Sequence, residues 1–310
     1  MVKIWKEVEW CLLEVPSEWA GLSVAELLQN EWKAGKKQIH SIRMAKAALV
    51  NKKPANWQKP LQINDQLAIK MFTALPFDVV PAPQNIKVLY EDDHLIVLNK
   101  PAFIDTHPNH KDENNALINT LAYYLQGKNE YRKIMHIHRL DRDTSGAILF
   151  AKHPLIGSIL DRMLSERQIK RTYFAAVHGI IEKRNGTIAK PIGRDRHHST
   201  RRRVSKTGQD AVTHYEVISF DAIKQLTIIK CQLDTGRTHQ IRVHFSSIGH
   251  PLAGDLLYGG KPVFNRQALH AASLTFVHPF TKEKINCVAQ ETDEVSAYLN
   301  VAIQRGNSSY

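Results

Sequence analysis

Two short stretches hold the side chains with which this chain could do chemistry. The first, HRLDRDTSG, runs from His138 to Gly146 and leads into an apolar run over residues 147–151. Asp141 lies at its centre, between Arg139 and Arg142. Polar residues feeding a buried strand through Thr-Ser-Gly read as a loop held at the end of that strand, where a carboxylate can act as nucleophile or base. Taken alone, the loop serves equally well as a surface turn with solvated or loosely paired charges. The second stretch, LDTGRTHQIRVH, runs from Leu233 to His244. Asp234-Thr235-Gly236 makes a turn, Thr238 is placed to cap a helix, and Ile241, Phe245 and Ile248 form its inner stripe, with Gly249 as the stop. His239, Arg242 and Ser246 share the other face. An arginine held mid-helix beside a polar loop is well placed to pair with a carboxylate.

The elements that must position these groups follow in chain order. Residues 22–28 begin an amphipathic helix capped near Ser23, and a basic helix is predicted over residues 41–49, with Lys33, Lys36, Lys37 and Arg43 in or before it. A strand ending in a turn at residues 50–54 and a second strand after Asn64-Asp65 close this unit. Three prolines between residues 74 and 86 mark a linker. Beyond it come a hairpin around Asp92-Asp93, a helix over residues 114–125, the Asp141 loop, a helix over 154–164 and a strand over 171–177 that carries Tyr173. The segment RDRHHSTRRRVSK, residues 194–206, is strongly basic without apolar periodicity, either a solvated loop or a flexible arm over RNA phosphate. Strands over 212–219 and 226–233 precede the second motif; a hairpin around His278-Pro279 and a helix over 292–303 follow it.

Composition narrows the class. With 310 residues, 43% hydrophobic and 23% charged, the chain is a folded protein of about two domains. Its 42 basic against 30 acidic residues give a formal charge of +12, which favours a polyanionic partner, nucleic acid before membrane. Three scattered cysteines, Cys11, Cys231 and Cys287, are too few for a disulfide framework or a metal knuckle and fit a reducing cytoplasm. The N-terminus lacks the apolar core of a secretion signal, and no run approaches a membrane span.

Three motifs in order, HRLDRDTSG, KRTYFAAVHG (Lys170 to Gly179) and TGRTHQIRVH, resemble the signatures of the RluA-type pseudouridine synthases over about residues 85–300. Asn99-Lys100-Pro101, Gly254-Asp255 with Tyr258-Gly259, and Leu269-His270-Ala271 are weaker matches. The family usually has glycine where this chain has Phe103, so the local turn there is expected to differ. The resemblance implies that Asp141 is the catalytic aspartate, acting on a uridine already inside an RNA chain. It implies that Arg242 salt-bridges Asp141, that Tyr173 stacks on the target uracil, and that Arg139 fills the gap left when the base flips out. His138, Lys170 and Arg237, with Arg201, Arg202 and Arg203, complete the expected RNA contacts. Residues 22–72 are similar to a small RNA-binding module of a ribosomal small-subunit protein and several RNA-modifying enzymes.

The expected architecture is therefore α+β: a degenerate RNA-binding-like unit at residues 1–78, a linker at 79–86, and a catalytic domain at 87–304. The resemblance implies a largely antiparallel mixed sheet flanked by helices for that domain. The expected partner is ribosomal or transfer RNA, without metal, cofactor or membrane, and the protein acts as a cytoplasmic monomer. Deleting residues 1–78 is expected to weaken targeting while leaving some catalysis. Glycoside hydrolysis, with Asp141 and Asp143 as the pair, fits poorly with so many arginines. The histidines, including His107-x-x-His110 and His136-x-His138, form no recognisable zinc motif. A non-catalytic RNA-binding or ribosome-assembly protein of the same fold is the alternative.

Overall fold

The computed structural model describes residues 2–110 and 113–307, and its strands form two sheets and a small hairpin. The first sheet contains β1 (Ile4–Glu7), β2 (Trp10–Glu14), β3 (Ala48–Val50), β4 (Lys53–Pro54) and β5 (Gln66–Lys70) in the order β1-β2-β5-β3-β4, all antiparallel. Between β2 and β3 lie α1 (Val24–Glu26), continued by a π turn over Leu27–Glu31, and α2 (Lys36–Met44). Ser23 caps α1: its hydroxyl accepts the Glu26 N–H, and the Glu26 carboxylate accepts the Ser23 N–H at 2.8 Å. The basic helix begins five residues earlier than its charge pattern suggests. It also stops earlier, because Ala48 and Leu49 pair with β5 instead.

The second sheet follows the linker. In chain order its elements are β6 (Val88–Glu91), β7 (Leu95–Lys100), α3 (Leu117–Gly127), β8 (Met135–His136), β9 (Ser145–Ala151), α4 (Pro154–Ser165), β10 (Lys170–His178) and β11 (Asn185–Ala189). The separate hairpin of β12 (Ile192–Arg194) and β13 (Arg202–Val204) comes next. It is followed by β14 (Val212–Asp221), β15 (Leu226–Leu233), α5 (Gln240–Ser246), a 3-10 turn at Leu256–Tyr258, β16 (Leu269–Val277), β17 (Lys284–Val288) and α6 (Glu294–Asn307). The strand order is β11-β14-β15-β10-β16-β9-β7-β6, with β17 on β16 and β8 on β9.

Every residue of β7 and β9 is buried, so these strands are covered on both faces, apolar through residues 95–98 and 147–151. The β9–β16 contact is parallel and the other pairings are antiparallel, an α+β arrangement. Gly146 makes that parallel contact possible. Its φ is +118, and a Cβ there would lie 2.2 Å from the carbonyl oxygen of Ala271.

The sheets share a core. Trp19, Leu27, Leu28, Trp32 and Ile69 from the first unit join Leu95, Leu149, Leu155, Ile159 and Phe280 from the second in one buried cluster. Trp32 and Phe280 meet with ring centroids 4.5 Å apart. Residues 79–86 carry no strand or helix but are fastened along α3: Asn119 Nδ2 donates to Val80 O, and Ala82 N–H donates to Asn119 O. The chain division expected at residue 78 is thus not a division of the core.

Candidate active site

The loop bearing Asp141 is bolted down on both sides. Thr106 Oγ1 donates to Leu140 O at 3.1 Å and accepts the Leu140 N–H at 3.3 Å. The buried Lys100 ammonium donates to Arg142 O at 2.8 Å and also to Pro101 O and Ile104 O, using all three of its protons. Burial pushes Lys100 down to about 7, opposed by Asp141, Asp143 and Asp105. Behind the loop, Arg266 donates to Asp143 O at 3.0 Å and Ser145 Oγ at 2.8 Å while gripping the Asp293 carboxylate with two further N–H groups. The Asp141 carbonyl accepts the Thr144 N–H, closing the turn.

Across the cleft, α5 presents Arg242, whose Nη1 lies 3.0 Å from Asp141 Oδ2. The pair expected from the sequence is formed, but Asp141 is not the main partner. Nε and Nη2 of Arg242 lie 2.7 and 2.9 Å from the two oxygens of Asp255, which is 1% exposed. Burial works against the Arg242 charge, and the two carboxylates outweigh it, raising the guanidinium above its ordinary value.

Tyr173 on β10 is 4% exposed and lines the same cleft. It pairs with Cys231 on one side and Ala271 on the other, and the register with β16 shifts between Thr172 and Tyr173, a local irregularity that can re-aim a side chain. Burial, with Asp141 in support, raises its phenol above the ordinary value, and the neighbouring Arg171 opposes this. Arg139, exposed, is also in the lining. A carboxylate oriented by a buried cation, facing a phenol and arginines at an open cleft, suits attack or proton removal on an anionic substrate.

Known proteins decide the family. Residues 94–247 match the RNA pseudouridylate synthase family, and residues 11–67 match the RluD ribosomal pseudouridine synthase N-terminal domain. The chain is 45% identical over 260 residues to the uncharacterized RNA pseudouridine synthase YhcT of Bacillus subtilis (strain 168), covering 84% of this chain and 86% of that one. The chain belongs to the RluA-type RNA pseudouridine synthases.

Other pseudouridine synthases agree. Ribosomal large subunit pseudouridine synthase D of Haemophilus influenzae is 38% identical over 239 residues, 72% of each chain. The solved structure of human RNA pseudouridylate synthase domain containing 1 superposes with a TM-score of 0.56 at 26% identity, covering 68% of this chain and 86% of that one. As a pseudouridine synthase, the chain is an RNA-modifying isomerase.

Within this pseudouridine synthase, the remaining expected contact residues fall in several places. Lys170 is exposed at the start of β10. Arg237 is half-buried on the cleft lining, its Nε donating to Asp210 O at 2.9 Å. Arg201 pairs with Asp195 at 2.7 Å, and Arg203 is exposed. The segment holding them is not the irregular arm its composition suggested: β12 and β13 pair over Ile192–Val204, and Tyr258 Oη accepts the Arg202 N–H at 2.9 Å.

His138 lies inside the loop rather than on its surface. It is 6% exposed, its Nε2 accepts the Leu149 N–H at 3.3 Å, and burial drives it down to about 3. The neutral ring faces inward and braces the loop. The Thr238 cap is corrected. The residue at the head of α5 is His239, at φ 57, with no side-chain cap bond.

Sequence reasoning missed Asp255, whose Gly254-Asp255 signal was visible without its partner, and it gave no role to Lys100, Thr106 or Arg266. Among the described residues, no group of three or more His, Cys, Asp or Glu is gathered so as to hold a metal ion. No described helix is long and apolar enough to cross a membrane.

Proposed function

We propose that this enzyme converts uridine to pseudouridine in ribosomal RNA, as a monomer without metal or cofactor, with Asp141 as the reacting carboxylate. The observation that carries this reading is the Asp141–Arg242 ion pair, 3.0 Å long, in a cleft lined by Tyr173 and Arg139. Relatives named ribosomal large subunit pseudouridine synthase D favour ribosomal over transfer RNA. Free, buried thiols at Cys11, Cys231 and Cys287 suit a reducing compartment and hence a cytoplasmic RNA.

The reaction breaks the bond from ribose carbon 1 to uracil nitrogen 1, turns the base, and joins carbon 5 to the sugar. Carbon 5 gives up its proton and nitrogen 1 gains one, so the product is an isomer. An ionised carboxylate serves whether it attacks the sugar or base or removes a sugar proton. Arg242 orients that carboxylate. Tyr173 packs on the flipped uracil, and Arg139 enters the space the base vacates, offsetting an unstacking cost of a few kcal/mol. Arg201, Arg202, Arg203, Lys170 and Arg237 hold phosphates.

The test is conversion of uridine in ribosomal RNA from cells lacking this protein, read by chromatography of the digested nucleosides. New pseudouridine in ribosomal but not transfer RNA is the expected result. Conversion of transfer RNA alone would overturn the substrate assignment, and tight binding with no conversion would return the non-catalytic reading.

A further inference from the structure

His239 stands at the head of α5 with φ 57 and ψ 23, a left-handed conformation uncommon for a residue with a side chain. Its Nε2 is 3.9 Å from Asp141 Oδ2, and its Nδ1 is 2.8 Å from Tyr258 Oη. Tyr258 packs its ring edge-on against His239 with centroids 5.6 Å apart, and the Arg242 guanidinium lies 5.0 Å from the same ring. The Tyr258 oxygen accepts the Arg202 N–H from the basic hairpin. With that N–H on one lone pair, donation of the phenolic proton to His239 Nδ1 is the arrangement that would leave the ring proton on Nε2, the nitrogen facing Asp141. Burial lowers the ring's affinity for a second proton despite Asp141, so the neutral form is the working one.

We propose that His239 is a positioning residue for Asp141, its Nε2–H held toward the carboxylate by Tyr258 and, through Tyr258, by the backbone of the β12–β13 hairpin. The inference rests on Asp141 being the reacting carboxylate. The 3.9 Å gap closes to hydrogen-bond length as RNA fills the cleft, since such contacts tighten in the substrate complex. Seating of phosphate on Arg201 and Arg203 thereby reaches Asp141 through Arg202 N–H, Tyr258 and His239 in turn. Neither His239 nor Tyr258 needs to touch the uracil for this role.

The test is His239→Asn. Asparagine tolerates the left-handed backbone and heads helices well, so the fold is kept while the ring is lost. Expected is a fall in kcat on the order of 10- to 100-fold with RNA affinity and thermal midpoint unchanged. Tyr258→Phe should lower kcat in the same direction, and the double variant should be no worse than His239→Asn alone, because both act along one path. Wild-type kcat in His239→Asn, matched losses of kcat and RNA affinity, or additive effects in the double variant would each overturn the proposal. Wild-type enzyme that forms no product under these conditions would instead refute Asp141 chemistry itself.

Discussion

Arg242 is shared between two carboxylates and held mainly by the one that does not face the cleft. Asp255 takes two of its N–H groups at 2.7 and 2.9 Å, leaving Nη1 free to meet Asp141 at 3.0 Å. Asp255 is thus an anchor that aims the guanidinium, and a planar fork is needed to serve both acids at once.

Replacement of Arg242 should therefore cost stability through Asp255 more than through the partly exposed Asp141. Arg242→Met is expected to lose about 3–5 kcal/mol, the penalty for a buried charge left unpaired. Arg242→Lys recovers only part, since one ammonium cannot span both acids. Asp255→Asn should keep RNA affinity while lowering kcat. Denaturant titration beside single-turnover kinetics checks all three; full rescue by lysine would contradict the shared-fork geometry.

Stability should fall in mild acid through His138. Its folded-state value is about 3 against an ordinary 6.5, so the unfolded chain binds a proton in this window that the folded chain refuses. Its contribution is complete above pH 6.5 and is lost as pH falls toward 3. His138→Gln should flatten the slope of unfolding free energy against pH by at most one proton, about 1.4 kcal/mol per unit. The check is urea unfolding at several pH values between 7 and 5, and an unchanged slope would contradict the assignment.

Phe103 occupies the position where the family resemblance leads one to expect glycine, and the backbone keeps the conformation glycine favours. Its φ is 68 and its side chain is 45% exposed, so little packing offsets the strain. Phe103→Gly is expected to stabilise the protein by about 1 kcal/mol, the left-handed penalty less the added freedom of the unfolded chain. A lower denaturant midpoint would show that the phenyl ring packs or functions in a way its exposure does not suggest.

Removal of residues 1–78 should do more than weaken targeting. It would strip Trp32 from Phe280, uncover Leu155 and Ile159 on α4, and break the Lys33–Glu166 and Lys282–Glu31 ion pairs. The expected outcome is an aggregating remainder with no cooperative unfolding transition. A soluble fragment that melts at the full-length temperature would show that the two units are separable after all.

The candidate site was legible through the family resemblance more than through local pattern, which left the Asp141 loop readable as a surface turn. Asp141, Tyr173 and Arg242 lie in motifs whose order and residue types point to one cleft, and Ser23 announces its helix by a capping box. Contacts between distant segments that the resemblance did not supply were not legible. Asp255 looks like any turn acid until α5 is seen to bring Arg242 to it. The β1–β2 pair is hidden because its turn places Val8 at φ 51, with no glycine or asparagine to signal it. In the β12–β13 hairpin, arginines mask the strand alternation. The burial of His138 was not legible either, because a histidine among arginines reads as surface, whereas its inward direction is set by β9.

The central claim is tested most directly by release of tritium from ribosomal RNA labelled at uridine carbon 5, drawn from cells lacking this protein. Intact protein and Asp141→Ala would be incubated side by side with a chelator present. The account gives release by the intact protein, undiminished by the chelator, and none by Asp141→Ala at equal RNA binding. Equal release by both proteins would remove Asp141 from the chemistry, and no release by either would contradict the account as a whole.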